Sequence, residues 1–339
     1  MPKSKNLFYY ITLFYHKIVN SLTLLYTALK YRKSTNIRRI EMKLIDKQVH
    51  IYSPEEKKIW ANEAFVPQVD IRLSLQLEDG NIISGALFNM KRKGQEENHY
   101  CISTQAGCKF GCKFCASGKN GWNRNLTAEE MAKQVELLSE VGGHCSVDHI
   151  SLMGIGEPLD NMEDSLAFIE LADKTYPGCE IALANSGIPN KITALANQVN
   201  RPIIFWLSLH SAIEAKRQQI MPIANKYKIA EIIEASRYLA NKNSQNHVSV
   251  NYMLFKGFND TLEDAVALVE LLRGTEKELT LKLTMPNNSW NIYEPAEYQD
   301  IVSFQRTLRV EGLKNPISRL LTAGKKLGAG CGEFVFVPN

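Results

Sequence analysis

The sequence predicts an α/β chain whose body is a partial (βα)6 TIM-like barrel, preceded by a short helical N-terminal extension. Three observations carry this reading. Between residues 100 and 311, short apolar strands alternate with amphipathic helices six times, and consecutive βα units demand a parallel sheet. At 339 residues, the chain is long enough to bury a full core without disulfides. Its 45% hydrophobic and 22% charged residues are those of an ordinary globular protein, which excludes wholesale disorder.

The extension comes first, over residues 1–65. Residues 6–29 are apolar and aromatic, flanked by Lys5 and by Lys30, Arg32 and Lys33. Thr12, His16, Asn20, Thr23 and Thr27 fall at steps of three and four, a narrow polar stripe on a helix. Three readings stay open: a helix packed on the body or a partner, an interfacial helix contacting a membrane surface, or a transmembrane span. The span would hold Lys17 near mid-bilayer at about 2.5–3.5 kcal/mol. Residues 1–50 hold ten Lys/Arg against Glu41 and Asp46, a net of +8. The remainder holds 30 basic and 34 acidic side chains, a net of −4. A uniformly basic nucleic-acid-coating protein is excluded, but a basic arm aimed at phosphate or an anionic membrane is not.

The catalytic body is expected over residues 66–339. Asp70–Leu77 and Asn81–Asn89 alternate as strands and join at Glu78-Asp79-Gly80, a hairpin-like turn. Barrel strands follow at Tyr100–Thr104, His149–Met153, Glu180–Ala184, Ile203–Leu209, Val248–Leu254 and Leu279–Thr284. Helices are expected at Ala128–Val141, Met162–Lys174, Asn190–Asn200, Ala230–Asn241, Leu262–Leu272 and Ala296–Glu311. Thr127 and Glu130 form a capping box that fixes the first helix start. Parallel barrels keep their chemistry at the C-terminal ends of strands, so the residues after each strand are the ones to read.

After the first strand comes Cys108-Lys109-Phe110-Gly111-Cys112-Lys113-Phe114-Cys115, a C-x3-C-x2-C loop. Three thiolates can hold three irons of a 4Fe-4S cluster and leave the fourth open for a substrate ligand. A zinc site using Cys101 as fourth ligand is the alternative, although zinc cages favour paired C-x2-C knuckles. The seven cysteines are odd in number and clustered, and no secretory signal is evident. Metal or redox chemistry in a cytoplasmic protein is therefore expected rather than a disulfide framework. The second strand ends in Gly154-Ile155-Gly156-Glu157-Pro158, where glycines allow close backbone approach and Glu157 offers a carboxylate to an ammonium. The fourth ends in Ser208-Leu209-His210-Ser211, where a lone His is more often structural.

The cysteine spacing resembles that of the radical SAM superfamily, and Gly156-Glu157-Pro158 resembles its "GEP" element, which receives the amino group of S-adenosylmethionine (SAM). Several further segments narrow the resemblance: Cys101-Ile-Ser-Thr-Gln-Ala-Gly-Cys108, Gly121-Trp-Asn-Arg-Asn-Leu-Thr127, Met221-Pro222-Ile223 and Gly330-Cys331-Gly332. Together they resemble the RlmN/Cfr family, radical SAM methyltransferases that methylate adenine carbons, C2 or C8, in rRNA or tRNA. The resemblance spans roughly residues 85–335. It implies Cys108, Cys112 and Cys115 as cluster ligands, and Gly156, Glu157, Ser208, Leu209, His210 and Asn287 as SAM contacts. It further implies Cys331 as the cysteine that is S-methylated and Cys101 as its redox partner, leaving Cys145 and Cys179 as bystanders. Cofactors are then a 4Fe-4S cluster and SAM. Partners are RNA, with Lys109, Lys113 and Arg124 available for phosphates, and a one-electron donor such as flavodoxin.

Three departures from the family's pattern stand out. Ala86 takes the place of a Glu base, with Glu96 and Glu97 nearby as substitutes. Ala184 takes the place of a Ser, with Asn185 and Ser186 beside it; one lost hydroxyl contact costs about 1 kcal/mol. Residues 1–60 bear no sign of the family's N-terminal RNA-binding module. A divergent relative that methylates a small molecule or peptide by the same chemistry thus stays open, as does a cluster-containing regulator without activity.

Overall fold

The structure, a computed structural model, describes residues 40–60, 65–287, 293–320 and 324–338. The apolar segment 6–29, with its helical and membrane-contact readings, lies outside the described residues.

Ten strands form one sheet. Its N-terminal part is an antiparallel meander: β1 (Met42–Ile51), β2 (Val66–Leu77), β3 (Ile82–Arg92) and β4 (Gln95–Cys101). From β4 onward every pairing is parallel, through β7 (His149–Leu152), β8 (Glu180–Asn185), β9 (Ile204–Ser208), β10 (His247–Met253), β11 (Leu279–Thr284) and β12 (Ile317–Leu320). A separate ribbon of β5 (Gln105–Gly107) and β6 (Trp122–Asn125) stands at the end of β4. The parallel run is the expected partial barrel, extended by β12.

Among the described residues, eight α-helices accompany the strands. They are α1 (Pro54–Ile59), α2 (Ala128–Val141), α3 (Met162–Thr175), α4 (Pro189–Gln198), α5 (Glu214–Ile220), α6 (Ile229–Lys242), α7 (Leu262–Leu272) and α8 (Tyr298–Val310). Thr127 accepts from the Glu130 amide while Glu130 reaches back to the Thr127 amide, the expected capping box. Strand alternation sorts the side chains. On β10, Val248, Val250 and Tyr252 point outward to the helices, where Tyr252 stacks on Phe304 of α8. Ser249, Asn251 and Met253 occupy the other face, toward the lumen.

Two expectations are corrected here. The helical reading of residues 1–65 fails at Met42–Ile51, a ten-residue strand paired antiparallel with β2, and among the described residues holds only at the short helix Pro54–Ile59. This edge strand is exposed at most positions and carries Lys43, Asp46 and Lys47, so it lacks the alternation that marks a buried strand. The first barrel strand ends at Cys101, not Thr104. Ile102 and Thr104 donate to Ser151 O and Ile155 O beyond the ladder, and Gln105 begins the ribbon.

Candidate active site

The ribbon closes the cysteine loop at its base, where Cys108 N donates to Gly121 O at 2.9 Å. Beneath the loop lies a small apolar pad of Ile220, Met221, Ile223, Ala224, Met253 and Phe255, against which Phe110, Cys112 and Phe114 pack. The Met221-Pro222-Ile223 motif is therefore the seat of the loop, which Lys113 N fixes further by donating to Ile220 O. Burial pushes the Cys108 thiol up to about 12 and the Cys112 thiol well above its ordinary value, and the neighbouring thiols add to both. Cys115 is raised by burial as well. Three soft donors crowded on one loop, each disfavouring a lone thiolate, are a donor set suited to cationic iron. Among the described residues no three His, Cys, Asp or Glu side chains converge as they would on a single ion. Three thiols spaced C-x3-C-x2-C on one loop are the donor set of a four-iron cluster with one iron left open, whereas zinc cages favour paired C-x2-C knuckles.

Glu157 follows β7 and is buried. Its carboxylate accepts from Asn185 Nδ2 at 2.7 Å, Ser186 N at 2.8 Å and Leu159 N at 3.2 Å. Burial raises its pKa and these donors oppose the rise, holding an acceptor ready for an ammonium. Gly156 must be glycine: its φ is +110°, and a Cβ would stand 2.7 Å from Gln105 Cβ.

His210 lies at the end of β9 with φ +59°, an unusual conformation for a side chain of this size. Its Nδ1 accepts from Met253 N at 3.0 Å, which places the ring proton on Nε2, and its carbonyl accepts from Asn259 Nδ2. Burial, with help from the Arg217 charge, pushes its pKa down to about 3, so the ring is neutral. Phe114 of the cysteine loop meets it edge-on, centroids 4.8 Å apart. Ser208 and Leu209 present carbonyls to the fully buried Arg217, which also donates to Ser186 O at 2.6 Å. One guanidinium thus ties the ends of β8 and β9 together beneath the cysteines, leaving Nη1 without a partner.

The C-terminal segment returns to this rim. Ala116 N donates to Gly332 O at 2.7 Å and Ser117 Oγ to Phe334 O at 3.1 Å, so the Cys331 segment is stitched to the cysteine loop. Asn287 Nδ2 donates to Cys331 O at 2.8 Å. A Cβ on Gly330 would collide with that amide at 2.6 Å. Cys331 is exposed and Cys101 buried, both are free thiols, and they stand close enough that Cys331 adds to the rise burial imposes on Cys101. Ala86 is the cross-strand partner of Cys101 on β3, so an apolar methyl takes the place where a carboxylate was sought.

Several expectations fail on geometry. Glu97 sits four residues before Cys101 on β4, about 13 Å along the strand, where it pairs with Arg92 and His99. It cannot replace the missing carboxylate beside Cys101, and Glu96 lies further still along the same strand. Arg124 is not available for phosphate: it makes a bidentate pair with Glu130 and another with Asp79. Lys109 pairs with Asp160 at 2.8 Å, whereas Lys113 is exposed. Sequence reasoning missed Arg217 because Glu214–Ile220 has too few apolar residues to announce a helix.

A family model described as "Radical SAM superfamily" matches residues 102–272. A curated "Probable dual-specificity RNA methyltransferase RlmN" from Clostridium perfringens (strain 13 / Type A) is 36% identical over 266 residues, 77% of this chain and 74% of that one. A protein of the same description from Clostridium botulinum (strain Alaska E43 / Type E3) is 34% identical over 309 residues, 89% and 85% of the two chains. The chain belongs to the RlmN/Cfr family. Its fold also matches the crystal structure of a radical SAM methyltransferase from Sphaerobacter thermophilus with a TM-score of 0.75 and 25% identity, over 91% of this chain and 85% of that one. It is accordingly a SAM-dependent radical methyltransferase, and the family implies a 4Fe-4S cluster with SAM. Among the described residues, no helix is long and apolar enough to cross a membrane.

Proposed function

We propose that this RlmN/Cfr enzyme methylates an sp2 carbon of adenine in RNA, C2 or C8, with Cys331 as the methyl carrier and Cys101 as the thiol that releases product. The observation that carries this reading is a pair of free thiols outside the cysteine loop, Cys101 at the end of β4 and Cys331 in a segment hydrogen-bonded to that loop, with the Cys331 charge felt at Cys101. The curated relatives named as RNA methyltransferases support the substrate class. Cys108, Cys112 and Cys115 would hold the cluster, and Gly156, Glu157, Ser208, Leu209, His210 and Asn287 would line SAM. When bound, the cluster would supply the electron for reductive cleavage of SAM, and with it the hydrogen-abstracting radical.

The chain's own residues do the rest. The Cys331 thiolate takes a methyl from one SAM by displacement at carbon, releasing S-adenosylhomocysteine. Hydrogen abstraction from that S-methyl group leaves a carbon radical that adds to the ring. After the adduct gives up one electron, which the oxidised cluster would accept, and its ring C–H proton, Cys101 attacks Cys331 Sγ. The Sγ–CH2 bond breaks, the freed carbon takes up a proton to become the methyl group, and a Cys101–Cys331 disulfide remains, to be reduced before the next turnover. A one-electron donor of the flavodoxin kind would serve the cluster. Glu157, held in a neutral pocket of donors, orients the SAM ammonium, and neutral His210 holds the cysteine loop through Phe114.

The test is anaerobic reconstitution with methyl-labelled SAM and total RNA, followed by nucleoside mass spectrometry. Labelled C2- or C8-methyladenosine is expected. Formation of 5′-deoxyadenosine without any methylated nucleoside would overturn the RNA reading. It would favour a small-molecule or peptide acceptor instead, to which the paired Arg124 and the acidic body already lend some support.

A further inference from the structure

Below the rim, three adjacent strands present a set of hydrogen-bond donors to the lumen. Trp206 on β9 and Ser249 on β10 are register partners and share a face. Lys282 on β11 is the register partner of Asn251, which in turn pairs with Ser208 at the end of β9. Lys282 therefore stands one layer nearer the rim than Trp206, level with Ser208. Its Nζ reaches across β10 to lie 3.2 Å from the centroid of the Trp206 ring.

The Lys282 side chain is half-buried, and among the described residues its ammonium makes no hydrogen bond or ion pair. The donors around it are equally idle. Trp206 Nε1 and the fully buried Ser249 Oγ have no partner. Buried donors without acceptors are costly unless something else meets them. A cation over an indole is stabilised by the ring's quadrupole, but its protons stay free for an acceptor.

The Lys282 charge also reaches the proposed methyl carrier. Lys282 and Cys331 each act on the other's ionisation, the ammonium favouring the thiolate. Burial is the main cause that pushes Lys282 down to about 8, so it is still mostly protonated near neutral pH. Arg92 adds to the lowering and Cys331 opposes it, while His247 on β10 is itself lowered by the Lys282 charge.

We propose that Lys282, held on the face of Trp206, is a substrate-contacting residue that donates to a ring nitrogen or oxygen of the methyl-accepting heterocycle, with Trp206 Nε1 and Ser249 Oγ as further donors below it. The ligand class is a planar nitrogen heterocycle presenting an acceptor edge to the lumen while its reacting carbon faces Cys331. A protonated donor at such an edge also stabilises the electron density that radical addition places on the ring, where a fixed charge in a water-poor site acts strongly. The inference rests on the methyl-carrier reading above.

The experiment compares wild type, Lys282→Met and Lys282→Arg as anaerobically reconstituted holoenzymes with the same RNA. Three readouts are taken: methylated adenosine formed, methyl loading on Cys331 without RNA, and the KM for SAM. Lys282→Met should cut kcat/KM for RNA by about tenfold to hundredfold, the loss of a charged hydrogen bond. Cys331 methyl loading and the KM for SAM should hold. Lys282→Arg should recover part of the rate, and it should remove the decline above pH 8 that wild type shows as its ammonium deprotonates. Unchanged kcat/KM in Lys282→Met would overturn the inference. So would loss of Cys331 methyl loading or a raised SAM KM, since either would place Lys282 on the thiol or on SAM. If wild type itself makes no methylated adenosine, the RNA reading fails, and Lys282 is then judged on the acceptor that replaces it.

Discussion

The two ends of the barrel lumen are built by opposite rules. At the N-terminal mouth, charged groups are ion-paired: His99 and His149 stack with centroids 4.5 Å apart. Each has its own carboxylate, Glu97 at 3.2 Å and Glu180 at 3.4 Å, and Arg92 joins Glu97. At the C-terminal end, groups of the same kind are left open. Arg217 Nη1, Thr104 Oγ1, Trp206 Nε1 and Ser249 Oγ are buried without partners, His210 is held at positive φ, and the Lys282 ammonium has only an indole face. Unsatisfied and strained groups cost stability, and a fold retains them where a ligand will use them. The open groups coincide with the side of the lumen that carries the cysteine motif, although buried polar atoms without hydrogen-bond partners also occur elsewhere, at Asp70, Arg92 and Asn315 among others.

Substitutions at the two ends should therefore behave differently. The largest effect is expected at Arg217. Arg217→Met keeps the bulk but strips the donors from Leu209 O and Ser186 O, and should lower unfolding free energy by about 2–4 kcal/mol, read from denaturant midpoints under anaerobic conditions. No change would mean that the ends of β8 and β9 are held otherwise. A smaller effect is expected at Asn287, whose amide fixes the Cys331 carbonyl. Asn287→Ala should slow methyl loading of Cys331 by about threefold to tenfold, with stability nearly unchanged.

The smallest effect on activity is expected at the ion-paired mouth, where the signature is a pH dependence of stability. Burial, reinforced by the His149 charge, pushes His99 down to about 4 from an ordinary 6.5. Between those values the unfolded chain binds a proton that the folded chain refuses, so stability falls as pH drops from about 6.5 to about 4. His99→Gln should show a shallower fall through that window, measured by thermal unfolding, and should methylate at a near-wild-type rate at neutral pH. A large loss of activity in His99→Gln would break the contrast between the two ends.

Much of this architecture is legible in the residue order. Helices α2 and α7 begin and end where their apolar spacing places them, α2 at its Thr127 capping box, and the parallel strands from β7 to β11 coincide with apolar runs buried against helices. The cysteine loop, the glycine turn before Glu157 and the late Gly330-Cys331-Gly332 are legible because their chemistry is local. What the sequence hides depends on distant partners. An exposed edge strand at Met42–Ile51 has no hydrophobic period to betray it, and the pairing of Arg124 with Glu130 and Asp79 is settled only by the fold. Lys282 reads in sequence as an ordinary strand lysine, and only the register of β9, β10 and β11 sets it over Trp206.

The methyl-carrier role proposed for Cys331 is open to direct test. Holoenzyme incubated with methyl-labelled SAM and no RNA, then digested and analysed by mass spectrometry, tests it directly. The label is expected on the peptide containing Cys331, as a methyl thioether, and should be absent from Cys331→Ala, while Cys101→Ala should load normally and then trap a covalent adduct once RNA is added. Methylated RNA made by Cys331→Ala, or label found only on another residue, would contradict the account.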